Sequence, residues 1–311
     1  MADGAPHPGK FEDPVLTAKG ERRASVPLRR LDTLWLNTGT LCNIACEGCY
    51  IESTPKNDAL VYLSLSDALP FLDEAREMGT REVGITGGEP FMNPDILGIL
   101  EAALDRGFEV LVLTNAMRPM MRPRVQRGLL ALPPEKRAHL TLRVSLDHHS
   151  QALHDRERGE GSFARAVEGM TWLHERGFRL AVAGRTVFGE DEADARRGYA
   201  DMLEGLGIDL DVTDPKALVL FPEMRPGDDP PEITTACWGI LGKKPEDIMC
   251  ASSRMVVRRK GAEAPVVLSC TLIAYDERFE MGGTLKEAAR PVALNHPWCA
   301  TFCVLGGASC S

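Results

Sequence analysis

Between residues 31 and 221 the chain alternates short, strand-length apolar runs with longer helix-length stretches, and this rhythm limits the fold more than any other feature. The strands are expected at Thr33–Thr38, Glu82–Thr86, Glu109–Thr114, His139–Leu146, Phe178–Thr186 and Ala217–Phe221. Between them fall helices at Ser66–Met78, Pro94–Asp105, Phe163–Arg176 and Asp191–Leu206, several stopped by a glycine. A segment broken by Pro119, Pro123 and Pro133 fills the remaining interval. Strands separated by helices pair in parallel, because each crossover returns the chain to the same end of the sheet.

The strands do not read as buried on both faces. In residues 140–147, Leu140, Leu142, Val144 and Leu146 share one side, while Thr141, Arg143, Ser145 and Asp147 share the other. In 178–186, Leu180 and Val182 oppose Ala181, Ala183 and Arg185. One apolar and one polar face fits a barrel with helices outside and a polar interior. Six such units fall short of a closed eightfold barrel. The expectation is therefore an α/β fold, a partial (β/α)6 TIM-like barrel, with a flavodoxin-like open sheet as the alternative.

In this architecture reacting groups collect on loops at the C-terminal ends of strands. The loop after the first strand carries Cys42, Cys46 and Cys49 in the spacing CxxxCxxC. Soft sulfur ligands this close can share one zinc, copper(I) or iron–sulfur centre. A structural zinc site is closed by four protein ligands, so three leave a position open for chemistry. A disulfide or a buried apolar pair is the bland alternative. The second strand runs into Gly87-Gly88-Glu89-Pro90, where glycines permit close backbone approach to a ligand and Glu89 offers a carboxylate for an ammonium group. Thr114 and Asn115, and Ser145 and Asp147, add polar groups at the same rim.

The nine cysteines segregate: three in this loop and six between Cys237 and Cys310. An odd number without a secretion signal argues against a disulfide framework and for a cytoplasmic protein with two metal-binding regions. No apolar run reaches membrane-spanning length, and a net charge of −9 argues against a nucleic-acid partner. Residues 1–30 lack apolar periodicity and read as a flexible lead-in, 31–222 as the barrel, and 232–311 as a small α+β cysteine-rich domain. Within the last, Arg254–Lys260 and Pro265–Cys270 read as a hairpin turning at Gly261, with Cys250 before it and Cys270 closing it. His148, His149 and His154 follow the fourth strand, where a hydrogen-bonding role is commoner than a catalytic one. Met120 and Met121 read as packing residues.

CNIACEGC after a first strand, with GGEP after the second, resembles the radical S-adenosylmethionine (radical SAM) enzymes over roughly Leu31 to Phe221. The resemblance implies that Cys42, Cys46 and Cys49 bind a 4Fe–4S cluster whose open iron takes the amino and carboxylate groups of SAM. Gly87, Gly88, Glu89 and Pro90 would form the turn at the methionine amino group. Asn115, Ser145 and Asp147 would lie toward the ribose or carboxylate, and Arg158 or Arg185 would be the arginine that contacts SAM. Trp35 and Asn37 would line the lumen, and Phe221-Pro-Glu223 would edge the adenine. At position 48, often aromatic in the family, this chain has glycine, with Tyr50 after the third cysteine.

The C-terminal cysteines resemble the family's twitch or SPASM extension. This implies a second 4Fe–4S cluster on Cys250, Cys270, Cys299 and Cys303, with Cys310 able to replace one and zinc as the alternative. Cys237 has no assignment. The implied activity is reductive cleavage of SAM to a 5′-deoxyadenosyl radical that abstracts hydrogen from a substrate, with a flavodoxin- or ferredoxin-type reductant. The short N-terminal lead-in favours oxidation or rearrangement of a small metabolite, and modification of a ribosomally made peptide is the alternative. A non-catalytic iron–sulfur carrier or redox sensor is the rival from another class, but it would need neither GGEP nor a polar barrel face.

Overall fold

The structure, a computed structural model, describes residues 9–186, 188–222 and 227–307. Its frame is nine strands in one sheet. Six of them, β2 (Thr33–Asn37), β3 (Glu82–Thr86), β4 (Glu109–Thr114), β5 (Leu140–Ser145), β6 (Arg179–Arg185) and β7 (Leu218–Phe221), run parallel in chain order, as the alternation requires. The helices between them are α1 (Leu65–Glu77), α2 (Ile96–Asp105), α3 (Pro123–Ala131), α4 (Pro134–Arg137), α5 (Gln151–Arg158), α6 (Ser162–Glu175) and α7 (Glu192–Gly205). β7 is a free end of the sheet, so the barrel stays open.

Local chemistry sets the elements. Ser64 caps α1 in a reciprocal box with Asp67, each side chain accepting the other's backbone N–H at 3.1 Å. The helix buries Ala68, Phe71, Leu72 and Ala75. In β5 Leu140, Leu142 and Val144 pack under the helices while Ser145 faces the opening. The barrel floor is filled by side chains. Trp35 is fully buried over Gly84, where a Cβ would lie 2.6 Å from Cδ2 of the indole. Below it Thr33 donates to Glu82 at 3.3 Å, and the buried Arg143 donates to the Lys216 carbonyl. The polar face is thus plugged at the strands' N-terminal ends and open at their C-terminal ends.

Two expectations need correction. The chain over residues 9–30 is packed rather than flexible. β1 (Ser25–Val26) pairs antiparallel with β11 (Val292–Ala293), and Phe11, Ala24 and Val26 are buried. Arg23, fully buried, binds Glu232 at 2.5 Å and donates to the carbonyls of Asp13, Leu16 and Leu294. The apolar residues here are too sparse for a period, and it is the C-terminal part of the chain that covers them. The second correction concerns the boundary between 222 and 232. The expected hairpin forms as β8 (Ser253–Val257) and β9 (Val266–Leu268), but β8 also pairs in parallel with β2. With β10 (Glu280–Gly282) on β9, the C-terminal strands extend the barrel sheet itself, in the order β10-β9-β8-β2-β3-β4-β5-β6-β7. A short helix α8 (Cys237–Leu241) and a π-helical turn over Cys299–Leu305 complete the region.

Candidate cofactor site and active site

The loop leaving β2 brings Cys42, Cys46 and Cys49 to one wall of a cavity at the C-terminal end of the barrel, open toward solvent. Backbone bonds fix the loop: Cys42 N–H donates to Thr54 at 3.1 Å, and Cys49 N–H to Cys46 at 3.4 Å. Asn115, at the end of β4, donates to Asn43 Oδ1 at 2.9 Å and so braces the same loop. Burial pushes the Cys42 thiol up to about 12 and raises that of Cys46. Such thiols stay protonated on their own, and a metal centre would take the protons' place. Three free thiols on one wall, with the cavity on their open side, fit a centre held by three sulfurs.

The glycine turn serves the cysteine loop as well as the cavity. A Cβ on Gly87 would lie 2.6 Å from the Gly39 carbonyl oxygen, and one on Gly88 would overlap the Leu41 carbonyl. In return Gly88 N–H donates to Gly39 at 2.7 Å and Glu89 N–H to Leu41 at 3.2 Å. Both glycines also line the cavity. Glu89 sits behind them, almost wholly buried, accepting from Phe91 N–H at 3.1 Å, Thr114 Oγ1 at 2.9 Å and Asn115 N–H at 2.8 Å. Burial raises its carboxyl to about 7 although its three partners are donors that favour the anion. Pro90 begins a single 3₁₀ turn that carries the chain away.

Beside the second and third cysteines stands a charged wall. Ser145 and Asp147 come from the end of β5, Arg158 from α5, and Arg185 from the end of β6. Asp147 and Arg158 form a two-pronged pair, both bonds 2.8 Å. Burial opposes the Asp147 charge, but Arg158 outweighs it and holds the carboxyl below its usual range. Arg185 pairs with Glu157 at 2.8 Å. Phe221, Pro222, Tyr50 and Phe302 form an apolar rim, and the Phe221 and Phe302 rings lie 5.7 Å apart. One charged and one apolar half suit a ligand with a zwitterionic end and a flat base. Glu223 lies outside the described residues.

The three histidines stand apart from this cavity. His148 Nε2 faces Glu190 at 2.6 Å and His149 Nε2 faces it at 3.3 Å, a grouping that could hold a metal ion. However, His148 Nδ1 accepts Ser150 N–H at 2.9 Å, which puts the ring's proton on Nε2, where a metal would have to bind. His154 is fully buried against Phe163.

A second, small cavity gathers Cys250, Cys270, Cys299 and Cys303 among Met249, Leu272, Phe279, Leu294 and Trp298. Burial pushes the Cys250 thiol up to about 12 and raises Cys270 and Cys299. Four sulfurs around an apolar cavity fit a closed metal site. Leu272 lines both cavities. The Cys237 thiol lies outside this ring and accepts Thr234 N–H at 3.3 Å. Cys310 lies outside the described residues.

An open parallel barrel with a three-thiol loop at its mouth, and a ligand cavity beyond it, describes an enzyme built around an iron–sulfur centre. Residues 36–203 match the Radical SAM superfamily, and the chain belongs to that family. It is therefore of a class whose members are enzymes that bind a 4Fe–4S cluster and SAM. It is 32% identical over 170 residues to the antilisterial bacteriocin subtilosin biosynthesis protein AlbA of Bacillus subtilis, covering 54% of this chain and 35% of AlbA. It is 33% identical over 137 residues to the mycofactocin maturase MftC of Mycobacterium ulcerans, covering 44% of this chain and 35% of MftC. The chain thus spans about a third of the curated relatives' length. Among solved structures, Streptococcus suis SuiB bound to S-adenosylmethionine superposes with a TM-score of 0.57 at 15% identity, over 81% of this chain and 63% of SuiB. SuiB has also been solved bound to its precursor peptide SuiA. Among the described residues no helix is long and apolar enough to cross a membrane.

Proposed function

We propose that this chain is a peptide-modifying radical SAM enzyme with a second, auxiliary cluster. The observation that carries the reading is that three thiols, the glycine turn and the Asp147–Arg158 pair line one cavity. When bound, the cluster and SAM supply one-electron cleavage to methionine and a 5′-deoxyadenosyl radical that takes hydrogen from the substrate. Cys42, Cys46 and Cys49 hold the cluster. Gly87 and Gly88 present backbone toward the amino group, and Glu89 and Pro90 set the turn. Asn115, Ser145, Asp147, Arg158 and Arg185 form the wall toward the ribose and carboxylate. Tyr50, Phe221 and Phe302 exclude water above the base.

Cys250, Cys270, Cys299 and Cys303 hold the auxiliary cluster in the C-terminal part of the chain that extends the barrel sheet, and a flavodoxin- or ferredoxin-type protein supplies the electron. AlbA's name, a bacteriocin biosynthesis protein, and the SuiB–SuiA structure favour a peptide over the small metabolite expected from the sequence.

The test is anaerobic reconstitution, iron counting and dithionite reduction with SAM. About eight irons and formation of 5′-deoxyadenosine are expected, falling to about four irons with product retained in Cys270→Ser. A reducible, fully loaded protein that yields no 5′-deoxyadenosine, with or without candidate peptides, would sink the reading.

A further inference from the structure

We propose that Arg185 is a positioning residue whose charge, fixed by Glu157 over the backbone of Gly48, sets the reduction potential of the centre held by Cys42, Cys46 and Cys49. This rests on the cluster reading above. A Cβ placed on Gly48 would lie 2.6 Å from Nη2 and 2.8 Å from Cζ of Arg185. The guanidinium therefore occupies the space a side chain would take on the stretch between the second and third cysteines. Glu157 holds it there through the 2.8 Å bond to Nη1, and the side chains are only 17% and 12% exposed, which weakens solvent screening. Glu157 also accepts Glu47 N–H on its backbone carbonyl at 2.9 Å, so one residue anchors both the loop and the cation.

The sequence pattern follows from this packing. Glycine at 48 is the residue that leaves room for the guanidinium. A cation beside a centre that gains one electron stabilises the reduced form, so it raises the potential. Arg158 stands on the same wall but is bound at two of its nitrogens by the buried Asp147, which offsets its charge. The Arg185–Glu157 pair can be altered from either side. Removing the cation leaves an anion near the centre, and removing the anion leaves a cation. The two changes must move the potential in opposite directions. Loosening of the loop would move both variants the same way.

The experiment is an EPR-monitored redox titration of the reconstituted full chain without SAM, so that a role in holding SAM does not enter. The signal followed is the one lost in Cys49→Ala. Arg185→Gln is expected to lower its potential, Glu157→Gln to raise it, and Arg185→Lys to leave it near the parent value. Gly48→Ala, which displaces the guanidinium, is expected to follow Arg185→Gln. Shifts of the same sign in Arg185→Gln and Glu157→Gln, or no shift in either, would overturn the proposal while leaving the cluster in place. If Arg185→Gln fails to load iron, Glu157→Gln decides alone: an upward shift supports the proposal and any other result overturns it. A parent protein whose reducible signal is indifferent to Cys49→Ala would instead overturn the cluster reading and this proposal with it.

Discussion

Glu89 holds the site together from behind. Its carboxylate gathers N–H groups from two loops and the Thr114 hydroxyl, joining the glycine turn to the end of β4. In Glu89→Gln one oxygen becomes an amide nitrogen and at least one of these donors is left without an acceptor. A loss of about 1–3 kcal/mol in urea unfolding is expected, with weaker SAM binding by calorimetry. His154 offers a separate test. Burial first, and the nearby Arg158 cation second, lower its pKa from the ordinary 6.5 to about 4. Between those values the unfolded chain binds a proton that the folded chain does not. The histidine's contribution is therefore complete above pH 6.5 and is lost as pH falls toward 4. Between pH 7.5 and 5.5 the parent should lose more stability than His154→Phe, by about 1 kcal/mol, read from denaturation midpoints at both pH values. An equal loss in both proteins would mean that His154 is not the group responsible. At this scale the cysteines are legible, since ligand chemistry is written in residue type and spacing. The contact between Arg185 and Gly48 is not, because it depends on how β6 stands against a loop that begins far earlier in the chain.

The elements that carry the site are placed by close backbone approaches. After β4 the chain turns through Ala116 at φ 56°, and α6 packs on that turn through Gly169. A methyl group on Gly169 would run into the Ala116 carbonyl oxygen. Helix propensity alone favours alanine by about 1 kcal/mol, but forcing α6 away from the turn costs about 1–3 kcal/mol or more. Gly169→Ala should therefore destabilise the protein and, because the neighbouring Asn115 braces the cysteine loop, shorten iron retention under chelator challenge. Gly205→Ala, at the end of α7 with open space around it, should be neutral or stabilising by up to about 1 kcal/mol. Strands and long helices are legible because period and terminating glycines mark them, and β3 and β4 span the residues expected. α5 carries Arg158 and Glu157 yet buries only His154, so no apolar period announced it.

At the scale of the whole molecule, β2 lies between β3 and β8, with Thr33 paired to Glu82 on one side and to Ser253 on the other. The strand that delivers the three cysteines is therefore an interior strand, and its second neighbour lies beyond the expected domain boundary. Alternation of elements reveals neighbours in sequence, and a pairing this distant leaves no local mark. The N-terminal stretch depends on the same region, through β1 on β11, Arg23 on Glu232, and the Phe11 carbonyl accepting from Arg278 at 3.0 Å. A chain cut after Pro222 would expose one whole edge of β2 and leave the buried Arg23 cation without its anion. Loss of one partner of a buried pair alone costs about 3–5 kcal/mol, a large share of a domain's stability. Residues 1–222 should then aggregate on size exclusion and fail to take up iron. Cys250→Ser with Cys270→Ser in the full chain should stay monodisperse and load about four irons. A truncated chain that runs as a compact species and binds four irons would show that the barrel stands alone, and that the sheet joining the two cysteine regions is a convenience rather than a foundation.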